Sequence, residues 1–186
     1  IDLDKNASPA MVGFYLNSVS TPGAATNVRI YMKMRATLMT ANTTYATEIS
    51  GATLVYGPTT IPASSFVAGR WLTIPLDVPF NYTGGTDNLE VIVETNATGT
   101  GNEGSAGKQF RYSSPGNSTS YQYWNADNTA PTGTGTRSAN RPNIQLHFCN
   151  TSTAPTSITG ATVICNGSST TLTSAGGSLG TDAVDV

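Results

Sequence analysis

The sequence has little charge. Charged residues make up 11% of the 186 residues, against about 25% in an average soluble protein. Apolar residues still account for 38% and cluster in short runs, so the low charge does not indicate disorder. With a net charge of −2, the chain has no basic surface of the kind that binds nucleic acid. We expect a β-rich, extracellular protein with a hydroxyl-rich surface and no nucleic-acid partner.

Long apolar runs are also missing. No run approaches the roughly 20 apolar residues that a membrane helix needs, so we expect no membrane insertion. The sequence opens at Ile1, without a visible signal peptide, as a processed or internal segment would.

Cysteine and histidine are scarce. The cysteines, Cys149 and Cys165, are too few for a disulfide scaffold and lack metal-ligand spacing. They can pair with each other, or Cys165 can pair with a cysteine beyond this segment, and the sequence leaves both possibilities open. The single histidine, His147, alternates with apolar neighbours in a predicted strand, and no G-x-S-x-G motif accompanies it. We therefore predict no catalytic histidine.

What the sequence does contain is a series of short apolar and β-branched runs separated by turns rich in glycine and proline. In residues 27–35, Val28, Ile30, Met32 and Met34 alternate with polar or charged side chains, which predicts a half-buried strand. Seven further strands are predicted at 11–19, 52–56, 71–76, 89–94, 108–112, 121–124 and 143–148. No helix is predicted. Eight strands without crossover helices indicate an all-β fold, an antiparallel jelly-roll-like β-sandwich.

The chain is predicted to contain two domains. The sandwich occupies 1–149, a Thr/Pro-rich linker covers 150–155, and 156–186 holds strand-like pieces at 161–165 and 170–173. Because an immunoglobulin-like sandwich needs about seven strands, this last part reads as the N-terminal part of an incomplete Ig-like domain. We therefore expect the chain to be a window on a longer modular protein. Alternatively, 170–186 or 1–10 is a strand donated to a neighbouring copy.

Two stretches resemble a known group of proteins. The stretch WLTIPLDVPFNYTGGTDNLEVIV, residues 71–93, and the tail PTSITGATVICNGSSTTLTSAGGSLGTDAV are similar to elements of secreted modular cell-surface proteins of Bacteroidetes. Their Ig-like repeats continue into a Trp-Tyr strand and a second cysteine, neither of which is present here. The resemblance implies export to the cell surface, often by type IX secretion, in parents that include adhesins and modular hydrolases.

One metal site is a candidate. Asp2, Asp4 and Asn6 alternate in the way that calcium ligands do, although the glycine and closing glutamate of an EF-hand are absent. A structural calcium shared with a distant acid such as Asp77 or Asp127 is one interpretation, and a polar entry to the first strand is the other. No other cofactor is expected.

Aromatic residues supply the candidate ligand site. In YQYW, Tyr121 and Tyr123 are predicted to face one way and Trp124 the other, near Arg111. Exposed rings there would stack on sugars, and the alternative is that they cover the rim of the core. Trp71 is predicted to be buried, as an indole often is at the centre of a sandwich.

The acidic residues give little support for an enzyme. Glu90 and Glu94 share one face of a predicted strand, which we interpret as a solvated face rather than as the carboxylate pair of a glycosidase. We expect a non-enzymatic extracellular structural or adhesive module of a surface-displayed multi-domain protein or filament. Its partners would be other copies of itself, other domains of the parent protein, or glycans. The alternative is a carbohydrate-binding module attached to a secreted hydrolase.

Overall fold

A computed structural model describes residues 8–19, 23–95, 107–114, 120–126, 129–149, 155–160 and 169–177. The chain divides into two compact units, Ile1–His147 and Phe148–Val186. The strands of the described residues are β1 (Ser8–Val19), β2 (Ala25–Arg35), β3 (Thr53–Ile61), β4 (Trp71–Pro75), β5 (Asn88–Glu94), β6 (Lys108–Phe110), β7 (Tyr112–Ser113), β8 (Gln122–Tyr123), β9 (Thr136–Arg137), β10 (Arg141–Pro142), β11 (Ile144–Cys149), β12 (Ser157–Thr159) and β13 (Thr173–Ala175). Their pairings are antiparallel wherever the register is recorded, which confirms the predicted all-β sandwich class.

The first sheet is built around β1, with β4 on one side and β11 on the other. Met11 lies opposite Pro75 and Tyr15 opposite Trp71. β6 pairs with the last residues of β1, where the register shifts at a bulge. The first unit also contains two short ribbons, β7 with β10 and β8 with β9.

The second sheet has the order β3-β2-β5. The alternation predicted for residues 27–35 is present in β2, where Val28, Ile30 and Met32 are buried. Because directly paired residues share a face, Met32 and its partner Val91 point to the same side. The intervening residues, including Lys33 and its partner Glu90, point to the opposite side.

The core lies between the inner faces of these sheets. Both sheets contribute buried residues that recur at every second position, as half-buried strands require. Each fully buried large aliphatic side chain contributes about 1.5–3 kcal/mol. The buried residues of the core include Val12, Phe14, Leu16, Val28, Ile30, Met32, Val55, Ile61, Leu72 and Ile74.

The structure contains helical turns that the sequence did not predict. α1 (Tyr45–Ile49) begins after Thr44, whose hydroxyl accepts a hydrogen bond from the Thr47 amide at 3.2 Å, and a 3₁₀ turn covers Ala63–Ser65. A helix this short depends on tertiary contacts rather than on its own propensity. It therefore has no periodic sequence pattern that would predict it. These two described helices, of five and three residues, fall well short of a membrane-spanning length.

β3 is longer than predicted, because it continues through Gly57–Pro58, where the sequence indicated a turn. Gly57 has a φ of 81°, and a Cβ there would lie 2.0 Å from the Val28 carbonyl oxygen. Glycine therefore allows the strand to bulge against β2 at this point rather than to end.

The second unit contains one described ribbon, in which Ser157 lies opposite Ala175. The described residues in 155–160 and 169–177 are all exposed, including Ile158 at 65% and Leu172 at 64%. Of the strand predicted at 170–173, only Thr173 lies in a strand, β13, and the strand predicted at 161–165 lies outside the described residues. The Ig-like character of this unit stays a prediction.

The described parts of both proposed donor segments pair inside the chain. Residues 8–10 belong to β1, where the carbonyl of Ala10 accepts from the Leu76 amide at 2.8 Å and Pro9 is fully buried. β13 pairs with β12. This internal pairing goes against donation of these residues to another copy.

Candidate functional site

The predicted aromatic site separates into two parts. The rings of Tyr121 and Tyr123 stack, with centroids 6.1 Å apart and an interplanar angle of 27°, and Tyr123 is 41% exposed. Trp124 instead packs edge-on against Tyr45, at 5.9 Å between centroids. The structure therefore leaves only the two tyrosines of YQYW together as an outward pair.

Trp124 is held by a single carbonyl group, that of Thr43. This oxygen accepts hydrogen bonds from Trp124 Nε1 at 2.9 Å, from Gln122 Nε2 at 2.7 Å and from the Gly135 amide at 2.8 Å. A Cβ on Gly135 would lie 2.6 Å from both side-chain nitrogens, so the close approach needs a glycine. The β8–β9 ribbon is thus fixed to the segment that precedes α1.

A cluster that we call the charge layer lies on the outer face of the second sheet and consists of Lys33, Arg35, Glu48 and Glu90. Glu48 Oε2 is 3.0 Å from Lys33 Nζ and 2.8 Å from Arg35 Nη1. Glu90 Oε2 is 3.7 Å and 3.1 Å from the same two atoms. Lys33 also donates to the Glu48 carbonyl. Two carboxylates therefore share two cations, and the side chain of Glu48 is only 2% exposed.

The carboxyl groups of the charge layer have opposite pKa shifts. Burial raises the pKa of Glu48, but hydrogen bonds involving Thr43, Lys33 and Glu90, with the positive charge of Lys33, lower it overall from 4.5 to about 2. Burial and the adjoining Glu48 carboxylate raise the pKa of Glu90. When acid is added, Glu90 therefore takes up a proton before Glu48 does.

Glu94 forms a second group on the same face. Its carboxylate pairs with Arg29 at 3.1 Å and accepts from the Tyr45 hydroxyl at 2.7 Å. Burial and this hydrogen bond raise the pKa of Tyr45. The shared face of Glu90 and Glu94 was predicted correctly, but its solvation was wrong. α1 and the Thr43 segment cover part of this face, and even Ile92 between the two acids is 6% exposed.

Trp71 is the clearest error of the sequence analysis, since it is 42% exposed. Leu72 and Ile74 are the buried residues of β4. Because successive residues of a strand point to opposite faces, the indole of Trp71 points outward. It meets Tyr15 edge-on, with centroids 5.4 Å apart. A Cβ on Gly13 would be 3.4 Å from the indole, so Trp71 lies against this glycine.

Arg111 lies beside Tyr15. Its guanidinium carbon is 5.7 Å from the centroid of the Tyr15 ring, and its amide donates to the Tyr15 carbonyl at 2.8 Å. We call Trp71, Tyr15 and Arg111 the aromatic row. The row adjoins an open depression of about 600 Å³ lined by Asn17, Gln109, Phe110, Arg111 and Tyr112.

Several predicted site residues lie outside the described residues. These are Asp2, Asp4, Asp127 and Cys165, together with the side chain of Cys149, so the calcium site and the disulfide stay predictions. Asp77 is described, and its carboxylate accepts from the Gly57 amide at 2.8 Å. Within the described ranges, no three His, Cys, Asp or Glu side chains form a group able to hold a metal ion.

His147 keeps its predicted place in a strand, β11. Its Nε2 is buried and, among the described residues, has no hydrogen-bond partner.

Comparison with protein-family models, with curated proteins and with solved structures found no match to this chain. Function must therefore be inferred from the charge layer and the aromatic row. The row was missed because its members come from three separate segments. Strict alternation along β4 was the one signal that could have placed Trp71 outside.

Proposed function

We propose that the chain is a non-enzymatic, extracellular structural or adhesive module that contacts hydrated carbohydrate polymers through the aromatic row. It would work as one unit of a surface-displayed multi-domain protein or filament, beside other domains of its parent or other copies of itself. The observation that carries this proposal is the exposed Trp71 indole, held on the outer face of a sheet by Tyr15 and Gly13.

The aromatic row is suited to binding sugars because its rings are exposed and held by neighbouring residues. An indole offers a large apolar face with few rotatable bonds, so little conformational entropy is lost when a ligand stacks on it. Trp71 stands on a strand whose neighbour, β1, provides the core residues Val12 and Leu16 from its other face. The ring is therefore supported by strands that belong to the core.

The described glutamates support a non-enzymatic role. Glycoside hydrolysis needs one carboxylic acid and one carboxylate that face the sugar. Glu48, Glu90 and Glu94 are instead engaged with Lys33, Arg35 and Arg29. Their oxygens are used to hold the protein together.

A second candidate is a carbohydrate-binding module attached to a secreted hydrolase, which would use the same aromatic row. The placement of the row on one face of a sheet favours this candidate as much as adhesion. The two differ in the parent protein, since only the second requires a catalytic domain. Sequencing the reading frame on both sides of this segment separates them.

The experiment measures retention of the full chain on a panel of immobilised plant, algal and bacterial polysaccharides. Trp71→Ala should weaken binding about tenfold or more, equivalent to at least about 1.4 kcal/mol. Tyr123→Ala is the matched control, because it removes another aromatic ring of similar exposure. Loss of binding with Tyr123→Ala but not with Trp71→Ala would move the site to the tyrosine pair. Wild-type retention on none of the polymers would contradict the proposal.

A further inference from the structure

Charge is divided unequally between the two sheets. The second sheet carries Arg29, Lys33 and Arg35 on β2, and Glu90 and Glu94 on β5. The strands of the first sheet, together with the β7–β10 ribbon that continues it, carry cations and no acidic residue at all. Lys108 and Arg141 lie in these strands, and a third cation, Arg111, lies between β6 and β7.

Arg111 has no carboxylate partner among the described residues. Its guanidinium rests against Tyr15, an arrangement that leaves the N–H groups at the guanidinium edge free to donate. The side chain is exposed and lines the 600 Å³ depression. A ligand can therefore reach both the guanidinium and the neighbouring space.

Arg141 adds a second cation close to the first. It lies opposite Ser113 in the β7–β10 ribbon, and the next ladder bond joins the Asn143 amide to the Arg111 carbonyl at 2.9 Å. Residues 111 and 113 are two apart, as are 141 and 143, so Arg111 and Arg141 are diagonal neighbours across the ribbon. The described residues show no ion pair for Arg141 either.

We propose that the ligand of the aromatic row is a polyuronate, a polysaccharide whose sugar rings carry carboxylates. This inference rests on the proposed function, and it names the class of glycan. One sugar ring would stack on Trp71, while a carboxylate would accept two parallel hydrogen bonds from Arg111, the geometry that a planar guanidinium favours. Because the whole chain has a net charge of −2, the attraction must come from this local patch and not from the protein as a whole.

The test compares binding of the full chain to polygalacturonate and to the same polymer after methyl esterification, which removes the charge but keeps the rings. Wild type should bind the acid form about tenfold more tightly. Arg111→Gln should abolish this preference, so that the acid and ester forms bind with equal affinity. Arg111→Lys should restore only part of it, because the charge returns without the planar fork. Arg137→Gln is the control, with the same change in net charge at a residue that bonds Asn42 and the Met39 carbonyl.

Each outcome decides between the proposals. Equal affinity for the acid and ester forms, with both weakened by Trp71→Ala, would overturn the polyuronate and leave carbohydrate binding standing. Tighter binding to dextran sulfate than to polygalacturonate would also overturn it. Failure to bind any polymer would remove both proposals. Arg141→Gln, which should reduce the preference less than Arg111→Gln does, keeps the test available if Arg111→Gln fails to fold.

Discussion

The outer faces of the two sheets use charge in different ways. On the second sheet, Lys33 and Arg35 face Glu48 and Glu90 under a cover of protein, and Glu48 is only 2% exposed. On the first sheet, Arg111 lies on Tyr15, open to solvent and without an acidic neighbour in any strand of that sheet. The first arrangement satisfies its own charges, while the second leaves hydrogen-bond donors for a ligand. The comparison shows why few charges in a sequence do not mean that charge is unimportant.

The largest expected loss of stability comes from removing Glu48 from the charge layer. Glu48→Ala leaves Glu90 as the one described carboxylate beside Lys33 and Arg35, and it removes an acceptor of the Thr43 hydroxyl. Removing one partner of a buried ion pair typically costs about 3–5 kcal/mol. We expect the free energy of unfolding to fall by about 3 kcal/mol, measured by urea denaturation. Asp87→Ala is the matched control, because no described ion pair involves Asp87, and its effect should be close to zero.

The next prediction concerns the stability of the fold at low pH. The pKa of Glu48 in the folded state, about 2, is below its ordinary 4.5, so its contribution to stability is complete above pH 4.5 and is lost as the pH falls towards 2. The raised pKa of Glu90 acts in the opposite direction, adding stability as the pH falls through that value. Urea midpoints measured between pH 4.5 and 2 should drop steeply in wild type and less in Glu48→Gln. Parallel curves for the two proteins would contradict this assignment.

The smallest expected effect on stability comes from Trp124, the residue of YQYW that bonds the Thr43 carbonyl. Trp124→Phe keeps an aromatic ring beside Tyr45 but removes the hydrogen bond to the Thr43 carbonyl. One such bond contributes about 1 kcal/mol, which is the expected loss in thermal or urea denaturation. Tyr123→Phe, on the exposed side, should leave stability unchanged. An equal loss of stability in both variants would contradict a specific role for the Trp124 hydrogen bond.

How far the sequence predicted the fold can be seen along β2 and β4. In β2 the alternation from Val28 to Met34 predicted both the strand and its buried face, because a period of two is a local property. In β4 the same rule places Leu72 inside and Trp71 outside, but a preference for a buried indole was given more weight. α1 was missed because a five-residue helix depends on its contacts with the sheet.

The candidate site was harder to predict than the fold. Arg111 was grouped with Tyr121 and Tyr123, which are close in sequence, yet the structure places its guanidinium on Tyr15. Pairing between β1 and the segment around Arg111 is nonlocal, and nothing in either segment alone specifies the partner. Similarly, the parity of Glu90 and Glu94 followed from the sequence, whereas their neutralisation by β2 cations depended on register.

By itself, the sequence determined the all-β class and the buried face of β2, because two-residue periodicity is a local property. The tertiary structure decided which charges meet: Glu48 comes from a helix, Glu90 and Lys33 from different strands. It also decided which aromatic ring stays outside, since Trp71, Tyr15 and Arg111 become neighbours only through strand pairing. The proposed function therefore depends on contacts between segments that are far apart along the chain.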